Sequence, residues 1–232
     1  MARLSRLSIP GFPHHVVQRA IDRRTAFLDE ADFRAMLGDL ADACDQEAVS
    51  VHAYVLMPDH FHLVCTPEGP SSLSRAMQAV GRRYVRRFNR RHARNGALWE
   101  GRFRCTVLDA DDYLLDVMRY VETEPARSAL LGDAAAYPWS SMAHHLGMRV
   151  DPLIRDAPRF WALGNTPFER QAAYGRLCAV PMDAERMQRI REATHHGWPL
   201  GSPQFVAGLA EKTSRRLTPM TPGRPRLREP GS

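Results

Sequence analysis

The sequence has almost no lysine: Lys212 stands alone among 32 basic residues, and every other one is arginine. No apolar run approaches the roughly 18 residues that cross a bilayer, so a membrane-spanning helix is excluded. The opening MARLSRLSIPGFPHH lacks the apolar stretch of a secretory signal, and the expected compartment is the cytoplasm. Cys44, Cys65, Cys105 and Cys178 form no CxxC pair, which rules out a disulfide scaffold and leaves ordinary reduced thiols. Acid is missing in one place, since segment 71–99 contains no Asp or Glu. Between 75 and 104, ten arginines face the single acid Glu100, which more than accounts for the whole chain's net charge of +6. Solvated helix faces normally mix signs, whereas a one-signed segment is the footprint of a polyanion. Arg75, Arg82, Arg83, Arg86, Arg87, Arg90, Arg91, Arg94, Arg102 and Arg104 are therefore the expected phosphate contacts.

What is present suits one large domain, or a domain with an extension: 232 residues, 44% of them apolar. HHVVQR at 14–19 reads as a strand after a Pro-rich turn. Apolar residues three and four apart predict a helix over 29–47, capped by Asp29 or Asp32. A hairpin follows, with strands at 49–57 and 60–66 joined by Pro58 and Asp59. The spacing then predicts a helix over 71–94, a strand over 103–108 and a helix from 111 to about 124. The order β-α-β-β-α-β-α implies an α/β (α+β) fold, a central antiparallel sheet with helices packed on it. Past Gly147, prolines punctuate short helical pieces, so residues 1–147 are expected as one domain and 148–217 as a helical C-terminal extension. Residues 218–232, rich in Pro, Gly and Arg, read as a disordered basic tail, and Gly223-Arg224-Pro225-Arg226 within them is like a minor-groove hook.

Two groups could carry chemistry. In MPDHFHLV, His60 and His62 are i and i+2 on a strand, about 6.5 Å apart on one face, within reach of one divalent cation. The same spacing also occurs in plain polar-face histidines. In YVETEP, Tyr120 and Glu124 are i and i+4 on a helix and share a face. A tyrosine beside a metal can attack a phosphodiester, although an ordinary surface pair has the same pattern. Tyr113, seven residues earlier, is the rival nucleophile. Asp59 reads as a turn former, and Trp99 and Phe103 fit either base stacking or core packing.

Taken in order, MPDHFHLV, GALWEGRF at 96–103, YVETEP at 120–125 and YPWSS at 137–141 resemble the IS200-like single-tyrosine transposases. Among these the chain is most similar to the REP-associated tyrosine transposases. PGFPHHVVQRAIDRR and the following Phe27 look like that family's first strand and turn, and RIREATHHGWPLGSPQF like an extension some members carry. The resemblance covers roughly residues 8–147. It implies a ferredoxin-like HUH domain that cuts and rejoins single-stranded DNA beside a hairpin through a 5′-phosphotyrosine, as a monomer or homodimer. It assigns His60 and His62 to the metal, Mg²⁺ or Mn²⁺, and Tyr120 to nucleophilic attack. Glu124 stands where relatives carry Asn or Gln, and a carboxylate is a competent hard-oxygen ligand for either ion. Its charge also repels an approaching phosphate, which keeps a second reading open: a protein that binds hairpin DNA without cutting it. A phosphodiesterase or metal-binding protein using the histidine pair alone is a third. Ala20 differs too, standing where relatives often have glycine.

Overall fold

Pro13 ends a turn, and HHVVQR behind it forms strand β1 (His14–Arg19); the computed structural model describes residues 6–219. Ala20 has φ −73°, which any residue adopts, while the left-handed φ values fall on Asp22 and Arg23. Helix α1 (Glu30–Gln46) starts at Asp29, whose carboxylate accepts the backbone N–H of Ala31 and Asp32. Strands β2 (Val49–Met57) and β3 (His60–Pro67) form the expected hairpin around Pro58 and Asp59. Helix α2 (Ser72–Arg91), strand β4 (Arg104–Val107) and helix α3 (Ala110–Glu122) follow in the expected order. α3 ends earlier than the sequence pattern suggests. Pro125 lacks the N–H that would bond the Val121 carbonyl, so the chain breaks at Thr123 and restarts as the short turn α4 (Glu124–Arg127).

The sheet order is β2-β3-β1-β4, and every neighbouring pair is antiparallel. Directly opposed residues share a face. Val17 faces His62 and Arg19 faces His60 across β1 and β3, and Arg104 faces Val17 across β4. His15, Arg19, His60, His62, Arg104 and Thr106 thus project from one side. Val16, Phe61, Leu63 and Cys105 project from the other, into a core with Met36 and Leu40 of α1 and Val80, Tyr84 and Phe88 of α2. The arginine helix therefore lies across the sheet from the histidine pair.

The histidine face is covered in two halves. α3 packs over β2 and β3, and elements beyond residue 147 pack over the rest. After α5 (Met142–His145) come α6 (Pro158–Trp161), α7 (Pro167–Ala179), α8 (Ala184–His196) and α9 (Pro203–Ala210). Tyr174, Ile190, Ala193 and Leu200 share a core with Val55, Val64, Val117 and Val121. Leu200 also pairs with the end of β4: its N–H donates to the Val107 carbonyl at 2.9 Å, and its carbonyl accepts the Asp109 N–H at 2.8 Å. Composition changes at Gly147, but packing runs straight across it. The tail beyond Pro219, with Gly223-Arg224-Pro225-Arg226, lies outside the described residues. Among the described residues no helix is long and apolar enough to cross a membrane.

Candidate functional site

Sheet register and the break before Pro125 bring His60, His62 and Glu124 together. Glu124 Oε1 lies 3.2 Å from His60 Nε2, and Oε2 lies 3.1 Å from His62 Nε2. One donor atom from each of the three residues falls within 4.8 Å of the others. Asp59 accepts from His60 Nδ1 at 2.5 Å, so it does more than shape the turn: it commits the proton to Nδ1 and leaves Nε2 facing Glu124. Burial opposes a charge on His60, but the bonds to Asp59 and Glu124 outweigh it and raise its pKa to about 9. Burial lowers His62, against the pull of Glu124. Burial alone would raise the Glu124 carboxyl, yet the two imidazoles hold it well below the usual range. Its Oε2 is buried and, among the described residues, meets no donor in hydrogen-bond geometry, its contact with His62 Nε2 included. Two ring nitrogens and an orphaned carboxylate oxygen, clustered and charged, are a donor set that fits a divalent cation.

Tyr120 closes the cluster from α3. Its ring meets His62 edge-on at 6.1 Å and His15 at 6.0 Å, and the Arg127 guanidinium lies over it at 4.2 Å. Arg191 Nε is 3.4 Å from the hydroxyl. Tyr113 is elsewhere, buried under the guanidinium of Arg186 at 3.6 Å. Thr123 and Glu124 follow α3 directly, and the end of that helix is pinned from behind. Glu122, fully buried, accepts from His145 Nδ1 at 2.7 Å, from the Tyr174 hydroxyl at 2.6 Å and from the Ser141 hydroxyl. These bonds join YVETEP to YPWSS, two motifs separate in the sequence. A second acid–histidine group, His144, His145 and Asp156, adjoins them. His144 Nδ1 accepts the Asp151 N–H, so its Nε2 holds the proton and donates toward Asp156. That tautomer supports the fold and leaves no lone pair for an ion.

The ten sequence-selected arginines divide. Arg75, Arg83, Arg87 and Arg91 pair with the acidic face of α1 or its end: Glu47, Asp42, Asp39, and Asp29 with Asp32. Arg87 grips the buried Asp39 with two bonds of 3.0 Å. Much of the local charge excess is thus neutralised inside the fold by acids more than 25 residues away in sequence. Arg82, Arg86 and Arg90 make no ion pair among the described residues, and Arg94 sits over the Phe88 ring at 5.6 Å. Only Arg102 and Arg104 reach the tyrosine side. They line a cleft of about 660 Å³ with Tyr120, His15, His62, Arg19 and Arg191. Arg19, Arg127, Arg191 and His15 carry no sequence signal beyond their type, since register and the docking of α8 place them. Trp99 packs with Phe27, Phe61 and Tyr84, and Phe103 is buried under Arg6, so both resolve to packing.

The chain also matches known proteins in sequence family and in fold. The family model described as "Transposase IS200 like" matches residues 9–124, half of the chain. Among solved structures, the chain is similar to a REP-associated tyrosine transposase bound to a REP hairpin. That likeness has 18% identity and a TM-score of 0.54, covering 68% of this chain and 92% of that one. A candidate transposase from Deinococcus radiodurans is 22% identical, with a TM-score of 0.36 over 53% of this chain and 98% of that one. No curated protein matches.

Proposed function

This chain belongs to the IS200-like transposase family, and we propose that it cuts and rejoins single-stranded DNA beside hairpins through a 5′-phosphotyrosine on Tyr120. One observation carries the reading. Tyr120 from α3 meets His62 edge-on where both line the cleft floored by the sheet, and His62 in turn clusters with His60 of β3 and with Glu124 from the break after α3. The hairpin bound by the similar solved structure supports hairpin DNA as the partner. His60 Nε2, His62 Nε2 and Glu124 would hold Mg²⁺ or Mn²⁺, and the two nitrogens suit Mn²⁺ better. When bound, such a cation polarises the scissile phosphate and stabilises the departing 3′-oxygen. Tyr120 Oη attacks phosphorus and releases its proton to solvent in the cleft. The bond from phosphorus to the 3′-oxygen breaks, that oxygen takes up a proton, and the 5′ end stays on the tyrosine. Arg191, already beside Oη, is placed to meet the charge that grows on the phosphate. Residues 1–147 supply the nucleophile and ligands, and 148–217 supply the wall that carries Arg191.

The test is direct. Full-length protein with Mn²⁺ and a hairpin-bearing single-stranded oligonucleotide should give a protein–DNA adduct that survives denaturation. No adduct with Mn²⁺ or Mg²⁺ on any hairpin substrate would overturn cleavage and leave the binder.

The same reading predicts which arginines matter. Arg102→Glu with Arg104→Glu should weaken hairpin binding at least about tenfold at low salt, because two phosphate contacts near the nucleophile are reversed. The salt dependence should flatten by a slope of about 1.5–2. Reversing Arg86 and Arg90, across the sheet, should cost less. Filter binding over a salt series checks both, and a larger loss from the second pair would run the DNA across α2 instead.

A further inference from the structure

The two histidines of the site differ in how their protons are fixed. His60 finds its proton acceptor within its own hairpin, in Asp59. His62 has no carboxylate behind it. Its Nδ1 lies 2.7 Å from His15 Nε2, and His15 Nδ1 lies 2.8 Å from the hydroxyl of Thr194 on α8, 179 positions along the chain from His15. The Thr194 hydroxyl in turn donates to the Ile190 carbonyl at 2.9 Å. A hydroxyl has one proton. Once it is given to Ile190, the oxygen can only accept.

The chain of bonds then has one direction. His15 donates from Nδ1 to Thr194 and accepts at Nε2, and His62 donates from Nδ1 to His15. What remains on His62 is the lone pair of Nε2, which faces Glu124. His62 Nε2 and Glu124 Oε2 face each other at 3.1 Å. His15, His62 and Thr194 are 1%, 5% and 3% exposed, so losing a partner leaves a largely buried polar atom, which costs stability.

We propose that Thr194, from the C-terminal extension, is a positioning residue that acts through His15 to hold His62 in its metal-binding tautomer. This rests on the metal reading given under Proposed function and deepens it. A ligand pair on β3 is completed by a residue on α8, so the site is chemically unfinished without the extension.

The test uses the full chain without DNA. Thr194→Val keeps the shape of the side chain and removes the acceptor, whereas Thr194→Ser keeps the hydroxyl. Free Mn²⁺ is followed by its paramagnetic resonance as MnCl₂ is titrated in. Thr194→Val should bind Mn²⁺ about 10- to 100-fold more weakly than the native protein. Thr194→Ser should bind within about threefold of it, and both should melt close to the native temperature without metal. His15→Gln, whose amide oxygen can accept from His62, should retain more affinity than His15→Leu, and this pair serves if Thr194→Val fails to fold. Native affinity in Thr194→Val, or equal weakness in Thr194→Ser, overturns the relay. Long-range ¹⁵N–¹H spectra of the metal-free protein read the proton directly. The expected result is His62 protonated on Nδ1 in the native chain and mixed in Thr194→Val. A native His62 protonated on Nε2 sinks the relay whatever the metal does. If the native chain binds no Mn²⁺ yet shows the Nδ1 proton, the metal reading fails and the relay stands as a structural bond.

Discussion

Tyr120→Phe should abolish the covalent protein–DNA adduct, lowering its yield at least about a thousandfold, or about 4 kcal/mol of lost barrier reduction. Only the hydroxyl oxygen can carry the phosphate, and Tyr120 is the one tyrosine among the described residues that line the cleft. The fold should not notice. Phenylalanine keeps the edge-on contacts with His15 and His62 and the ring under Arg127, and it loses a single long contact of 3.4 Å to Arg191. Removing such a bond costs about 1 kcal/mol or less. Hairpin affinity should stay within about threefold, because the arginines of the cleft are untouched. His60→Ala and His62→Ala should also remove the adduct, but by loss of Mn²⁺ binding, which a titration without DNA would detect. Glu124→Asn keeps an oxygen donor and removes the charge facing the phosphate, so it should retain or raise activity, whereas Glu124→Ala should weaken metal dependence. An adduct that survives in Tyr120→Phe and vanishes in Tyr113→Phe would sink the nucleophile assignment while sparing the reaction class.

Ending the chain after Gly147 should leave no cooperatively folded protein. The sequence suggests a self-sufficient domain there, since the last sheet strand and α3 are complete. In the structure, Tyr174 and Ile190 are fully buried against α3 and the histidine face of the sheet, and Leu200 closes the end of β4. Losing a large buried side chain costs about 2–5 kcal/mol. Three such losses reach or exceed the roughly 5–15 kcal/mol that holds a domain together. Truncation also strips Glu122 of the Tyr174 hydroxyl and His15 of Thr194, leaving buried polar atoms unpaired. The expected fragment is insoluble or shows broad, poorly dispersed NMR spectra. A 1–147 fragment with a sharp melting transition would mean that the extension only decorates the fold.

Periodicity and turn chemistry were enough for the elements themselves. HHVVQR, the Pro58–Asp59 hairpin and the α1 cap at Asp29 are local decisions, and the chain makes them where the pattern says. The HxH spacing on a strand and the position of Pro125 are local too, so His60, His62, Tyr120 and Glu124 could be singled out before any fold was known. Charge was less legible. Ten arginines in 75–104 look like one cationic surface, but α1 returns antiparallel to α2 and places Asp29, Asp32, Asp39, Asp42 and Glu47 against four of them. No local pattern announces an ion pair with a distant acid. The face of the sheet was equally out of reach, because strand register alone puts the histidines on one side and the arginine helix on the other. The surroundings of Tyr120 and His62 come from the far end of the chain. Arg191 and Thr194 are ordinary residues of an amphipathic helix in the sequence, and they become part of the site only because α8 docks across β1 and β4. Linear spacing carries the chemistry of a ligand or a nucleophile, but the proton on its far nitrogen and the charge beside its hydroxyl depend on what tertiary packing brings within about 3 Å.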